Sequence, residues 1–471
     1  MATVTRSTAL PTWMSVYQTP HEVNQPVTDV DGRLPEGLAG TLYRVGPAKL
    51  DLAHHLFDGD GMVSAVRFDR AGAVHCANRF VRTGKYLAEL HADRPTRRGF
   101  GTLAGGGWLR NITQTSPGKS NAANTSVMFT AGRLVALWEA GHPWQLDPTT
   151  LETIGEMDFD GALGASLPFS AHPHWDPHTG EIFNFGMVYG RKDWVACYRI
   201  DKSGALHHLA KVAAPGPVMN HDFILTDRWL VFCLNPLRLR LVPFLTGRMA
   251  FGDALEFHEG EATRIVLVPR AGGDPVYVEA PAWFQFHFAA AYDDGDDVVL
   301  DLSRYQRYDD IGPYLKAFRA SPAPVRPPTL WRYRVSPRTR RAEGHELSPQ
   351  GLEFPQVDGR HSTGGYSCVY GVLLDHGRGL GGRIGRVDVN TGQTDAWDPG
   401  RDKLVSEPIF VPRPDGEQDD GWLVAHVYDP GREATDTVVL DARDLAAGPL
   451  FTAHLPINTG VTFHGAWRRP A

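Results

Sequence analysis

The chain is poor in cysteine: Cys76, Cys197, Cys233 and Cys368 are the only four in 471 residues, and no two make a CxxC pair. Sparse cysteines in strand-like settings exclude a disulfide scaffold, so free buried thiols are expected. Long apolar runs are also missing. No stretch approaches the ~18 residues of a membrane span, and the N-terminal MATVTRSTALPTWMSVYQTP has no apolar leader core. Charge of one sign is scarce as well: Lys+Arg 47 against Asp+Glu 54 gives a net charge of −7 with the basic residues scattered, which excludes a nucleic-acid surface. A soluble, cytoplasmic protein is expected.

Common catalytic signatures are lacking too. There is no GxSxG elbow, no Walker A loop and no HExxH. Gly99-Phe-Gly101-Thr-Leu-Ala104 has the letters of a dinucleotide fingerprint but runs into Gly105-Gly106-Gly107 rather than a helix. Asp58-Gly59-Asp60-Gly61 and Asp293 to Asp297 look like calcium loops, yet Met62 and Val298 occupy positions that need a ligand; tight turns account for them better.

What is abundant is turn formers and apolar residues: Gly 50, Pro 35 and 42% hydrophobic residues. Short β-branched or aromatic runs such as RLVALWEA, EIFNFGMVY, WLVFCLN and TRIVLVPR recur between Gly, Asp and Pro turns. Such runs read as strands, and their density without a βαβ rhythm predicts an all-β fold: sandwich, large barrel or propeller. Short helices are predicted near 86–94 and 237–250. Length alone suggests about three domains. No linker or composition break divides the chain, so one domain over 1–471 is expected.

The chain holds 20 histidines, several in apolar strand-like surroundings. His172, His221, His287 and His464 are dispersed along the sequence, and the inner strands of a propeller could gather them on one axis. Neutral imidazoles there would suit iron, copper, nickel or zinc. Carboxylates behind the outer ring nitrogens would then be needed, and Glu139, Glu353 and Glu407 sit in apolar runs. A local alternative places His172, His174 and His178 on one zinc, although Asp176-Pro177 turns the chain before His178.

With these residues in view, the sequence resembles the carotenoid cleavage oxygenases, and among them most the bacterial apocarotenoid oxygenases. The likeness runs in order through GTLYRVGP (40–47), FDGDGMVSAVRF (57–68), NTSV (124–127), AHPHWDPHTGEIFNFG (171–186), NHDFILT (220–226), FQFHFAAAYDDG (284–295), EFPQVD (353–358), SEPIFVPR (406–413) and FHGAW (463–467). The resemblance implies a seven-bladed β-propeller with a dome of loops and helices over the iron-bearing face. It implies one Fe(II) per subunit, held by His172, His221, His287 and His464, with Glu139, Glu353 and Glu407 behind them and Thr125 crowding one open coordination position.

The implied activity is O2-dependent cleavage of a conjugated double bond in a carotenoid or apocarotenoid to aldehyde products. Stilbene or phenylpropene cleavage is the alternative on the same scaffold. Lignostilbene-type members carry a Lys before the first glutamate, where this chain has Trp138; an apolar Trp favours a polyene over a phenolate. Trp138 and Phe288 are expected to line the substrate path. Residues 235–252 interleave Leu, Val and Phe with Arg238, Arg240 and Arg248, a pattern suited to peripheral contact with a membrane from which a lipophilic substrate could be drawn. A non-oxidative isomerase and a metal-free binding propeller are the readings from other classes.

Overall fold

The computed structural model describes residues 12–470 except 19, 115–116, 317, 319–325 and 376–380. The first eleven residues, on which the expectation about a leader rests, lie outside the described residues.

The strands form seven antiparallel blades, named here in chain order. Blade one is Val23–Val27, Val74–Phe80, Asp60–Phe68, Gly40–Lys49 and Gly465–Arg468; blades two, three and four follow as four-stranded sheets. Blades five and six are joined by the 16-residue strand Arg341–Gln356, which pairs with Thr329–Ser336 along its first part and with Cys368–Leu374 along its last. In blade seven Leu404–Val405 and Ile409–Pro412 pair with Gly421–Asp429, and its other edge is Val30–Gly32 from near the N-terminus. The chain therefore crosses one seam three times: from Val23–Val27 of the first blade into Val30–Gly32 of the last, back into Gly40–Lys49, and finally into Gly465–Arg468 of the first.

The packing explains the unbroken apolar runs. Alternate residues of a strand face opposite sides of its sheet. In Trp229–Leu234, Val231 and Cys233 pack into the seam with blade five, while Leu230, Phe232 and Leu234 pack into the seam with blade three. Every neighbouring pair of blades shares such an apolar seam, including the first with the last, where Val66 and Phe68 meet Trp422 and Val424. The propeller is a closed ring. All four cysteines are buried and free, and each lies in a seam.

A separate apolar cluster over one face joins Leu56, Phe57, Phe100, Phe251, Phe286, Tyr305 and Tyr314 in a dome. The helix expected near 86–94 is Gly84–Glu89. The segment expected as a helix over 237–250 begins instead as the strand Leu237–Leu239, paired with Leu255–Phe257, and only Leu241–Leu245 is helical. Pro243 has no amide to donate and its ring crowds the preceding turn, so it is accommodated in the first turn of Leu241–Leu245 but not in the middle of a helix running from 237. The aspartate turns are turns, but Asp58 does more: its carboxylate accepts from Phe100 N, Gly101 N and Thr102 Oγ1, pinning the Gly-rich dome loop.

Candidate metal centre

Each blade supplies one chain segment beside or within a strand at one end of its sheet or at its junction with the next. Thr125 precedes Ser126–Thr130, His172 precedes His174–Trp175, His221 precedes Ile224–Leu225 and His287 precedes Phe288–Asp294. Glu353 lies where the long shared strand joins blade six, Glu407 lies between the first two strands of blade seven, and His464 precedes Gly465–Arg468. Seven blades thus aim seven segments at one axis.

Two glycines make this approach feasible. A Cβ on Gly46 would lie 1.9 Å from Val461 O, so only glycine lets Gly40–Lys49 pass the segment leading to His464. A Cβ on Gly61 would lie 2.1 Å from Ala123 O, beside Thr125. Ala123 (φ 47) and Phe354 (φ 53) hold left-handed backbone next to Thr125 and Glu353, a strain that ordinary turns avoid.

The four histidines converge. One ring nitrogen from each lies within 4.8 Å of all the others, with His172 Nε2 2.8 Å from His221 Nε2 and His287 Nε2 3.2 Å from His464 Nε2. Behind them, His287 Nδ1 is 2.6 Å from Glu353 Oε2 and His464 Nδ1 is 2.9 Å from Glu407 Oε1. Glu139 Oε1 is 2.9 Å from His221 Nδ1 but off the line of its N–H, and Glu139 is the most exposed of the three glutamates. His172 has no glutamate behind it; Asp222 Oδ1 is 3.9 Å from its Nδ1.

Burial holds the His172 and His464 imidazoles well below the usual histidine range, so both are neutral. Burial also works against a charged His287, but the Glu353 carboxylate outweighs it and the net shift is upward. Burial pushes Glu407 up to about 7, opposed by Arg44.

The donor set fits a divalent transition metal. With Nδ1 of His287 and of His464 committed to carboxylates, their Nε2 atoms face each other across 3.2 Å, where a divalent cation can take the place of a shared proton. The local zinc alternative is not assembled: His178 is exposed beside Asp227, and His174 Nε2 is bound to Asp222.

The comparisons with known proteins agree with this geometry. The model of the family described as retinal pigment epithelial membrane protein matches residues 17–469. The chain belongs to this family, the carotenoid oxygenases. It is 33% identical to the apocarotenoid-15,15'-oxygenase of Synechocystis over 97% of this chain and 96% of that protein. It is 30% identical to a carotenoid 9,10(9',10')-cleavage dioxygenase of Crocus sativus, over 93% of this chain and 85% of that one. An isoeugenol monooxygenase of Pseudomonas nitroreducens is also 30% identical, over 93% and 94%. The solved cobalt-substituted Synechocystis apocarotenoid oxygenase superposes with a TM-score of 0.89 at 32% identity, over 98% of each chain.

Several residues of this carotenoid oxygenase were not singled out in the sequence. Arg44, fully buried, donates to Glu407 O, Thr462 Oγ1 and Phe463 O. Gln356 Nε2 donates to Glu407 Oε1. Phe286 stands against His221, and Phe354 against His287 and His464. Phe288, expected in the substrate path, packs instead in the seam between blades four and five with Ile224, Val231 and Leu300. Its backbone N–H is its tie to the site, donating to Asp222 Oδ2. Trp138 is half-buried at the end of Arg133–Leu137, one residue before Glu139. Thr125 O accepts from His464 N at 3.2 Å, which seats Thr125 beside that histidine.

Proposed function

We propose that the chain is a non-haem iron(II) oxygenase that cleaves a conjugated carbon–carbon double bond of a carotenoid or apocarotenoid to two aldehydes. The observation that carries this reading is the imidazole cluster at the end of an aromatic wall. Phe286 lies 5.0 Å from the His221 ring, Phe57 6.3 Å from Phe286 and Phe100 5.3 Å from Phe57. Phe251 is 5.6 Å from Phe100, and Phe244, on Leu241–Leu245, is 5.7 Å from Phe251. A rigid polyene suits such a wall better than a polar substrate does.

His172, His221, His287 and His464 would hold the iron, which when bound activates O2 for addition to an alkene. Glu353 and Glu407 keep protons on Nδ1 of their histidines, so that Nε2 faces inward. Thr125, seated by His464, restricts one side of the centre. The dome aromatics orient the substrate and exclude water. An alkene and one O2 balance to two carbonyls without net proton transfer, so no side chain needs to act as acid or base.

Trp138 beside Glu139 favours a polyene over a phenolate. Contact with a membrane, as part of the same reading, draws on an exposed apolar face: Trp108, Leu109, Leu241, Val242 and Leu245 are all exposed on two short helices. Arg98 ties the helices together by donating to Asn111 O and Phe244 O. Arg238 and Arg240 are paired with Glu261 and Glu256, so the apolar residues rather than these arginines would make the contact. Among the described residues no helix is long and apolar enough to cross a membrane.

The test is a panel of an apocarotenal, a hydroxystilbene and isoeugenol, with O2 consumption and product masses. Aldehydes from the apocarotenal, formed with one O2 per turnover, are expected. Faster cleavage of a phenolic substrate would favour the alternative, and turnover without O2 uptake would make the chain an isomerase.

A further inference from the structure

We propose that Asp222 is a positioning residue for the histidine cluster, fixing His172 relative to His221 and His287. The inference rests on the metal-centre reading above.

The three glutamates each serve one histidine, and His172 is left over. Asp222 is the carboxylate nearest its outer nitrogen, at 3.9 Å, too far for a direct hydrogen bond. Its action is therefore on the backbone and on neighbours. Oδ1 accepts from His174 Nε2 at 2.9 Å and from Phe223 N at 2.8 Å, and Oδ2 accepts from Phe288 N at 3.0 Å.

These donors belong to three different blades. His174 is two residues beyond His172 and opens the first strand of blade three. Phe223 follows Asp222 itself, which follows His221 ahead of blade four. Phe288 follows His287 and opens the first strand of blade five. One buried carboxylate thus fixes the chain next to three of the four histidines, and the Phe223 ring, 4.9 Å from the His174 ring, packs the same corner. The seams of blade four with blades three and five are packed mainly by apolar side chains, which are non-directional, so these bonds add angular definition next to the histidines.

Asparagine keeps the shape of the side chain but offers one acceptor oxygen where Asp222 offers two. Whichever way the amide turns, an N–H from blade three or blade five loses its acceptor. The experiment titrates metal-free protein with Co(II) and records affinity and the visible d–d bands, which report ligand geometry. Asp222→Asn is expected to bind Co(II) about 10–100-fold more weakly with shifted bands. His174→Phe, which removes one donor and keeps the carboxylate, should shift the bands in the same direction by less. The control is Asp301→Asn, which breaks a buried network with Arg332 and Tyr366 that includes none of the four histidines and should lower thermal stability while leaving Co(II) affinity and bands unchanged.

Wild-type bands and affinity in Asp222→Asn, or equal spectral change in Asp301→Asn, would overturn the proposal. If Asp222→Asn does not fold, His174→Phe decides it in the same way. Failure of the wild type to take up Co(II) or iron would remove the metal-centre reading itself, a different result from an unaltered variant.

Discussion

Arg44 and Glu407 are joined inside the ring, one from blade one and one from blade seven. The guanidinium donates to Glu407 O at 2.7 Å, approaches Glu407 Oε2 at 3.4 Å and also reaches Phe463 O at 2.7 Å. It binds the carboxylate behind His464 and the residue before His464 with one rigid fork. Arg44→Met takes the donor from two buried carbonyls and removes the charge that faces the buried Glu407 carboxylate. A loss of about 3–5 kcal/mol in folding stability is expected, read by chemical denaturation, with reduced iron per chain. Arg44→Lys should recover only part, because an ammonium cannot match the fork.

Alanine at His172, His221, His287 or His464 should abolish iron retention and turnover. Full iron and activity in His172→Ala would make the four-histidine assignment wrong.

Glu353→Gln should weaken iron retention about 10–100-fold. Glu139→Gln should cost less, because Glu139 meets His221 off the N–H line and is more exposed. Iron content after dialysis against a chelator measures both, and equal losses would contradict the ranking.

A chain stopped after Gly460 loses His464 and the strand Gly465–Arg468, which pairs with Thr41–Arg44. It should hold no iron and show a lower melting temperature. An active truncated protein would refute the role of His464.

His454 lies between Asp436 and Asp31 at 2.8 and 3.0 Å, across the seam that Val30–Gly32 closes. Burial opposes its charge, but the two carboxylates outweigh this and raise its pKa. Folding then favours the protonated ring. The stabilisation is complete below the ordinary value of about 6.5 and disappears as pH rises through the raised folded value. The melting-temperature difference between wild type and His454→Gln should shrink across that rise. A constant difference would contradict it.

The membrane reading predicts that Val242→Asp with Trp108→Glu reduces co-sedimentation with phosphatidylcholine vesicles, while cleavage of a detergent-solubilised apocarotenoid is unchanged. Undiminished sedimentation would exclude this face.

The four histidines were legible because each interrupts an apolar run just where a strand begins, and the strand content was legible because both faces of most strands are buried. The partnerships were not. Glu353 belongs to His287 and Glu407 to His464 because neighbouring blades meet at the axis, a relation set by ring closure rather than spacing. Asp222 carried no signal of its own in the sequence, because its three donors lie on three blades. Phe288 could not be assigned a direction until the strand register put its ring into a seam. The segment 237–250 has helical composition, but Pro243 and the pairing of Leu237–Leu239 with Leu255–Phe257 decide otherwise.

The seam between the first and last blades has a mechanical consequence. Tension applied between the two ends of the chain loads first the pairing of Val23–Val27 with Val74–Phe80 and that of Gly465–Arg468 with Thr41–Arg44, both in blade one. Force would reach the remaining blades only after these pairings slip. His464 lies at the root of one of them, so the first rupture of the ring and the loss of one imidazole would be a single event.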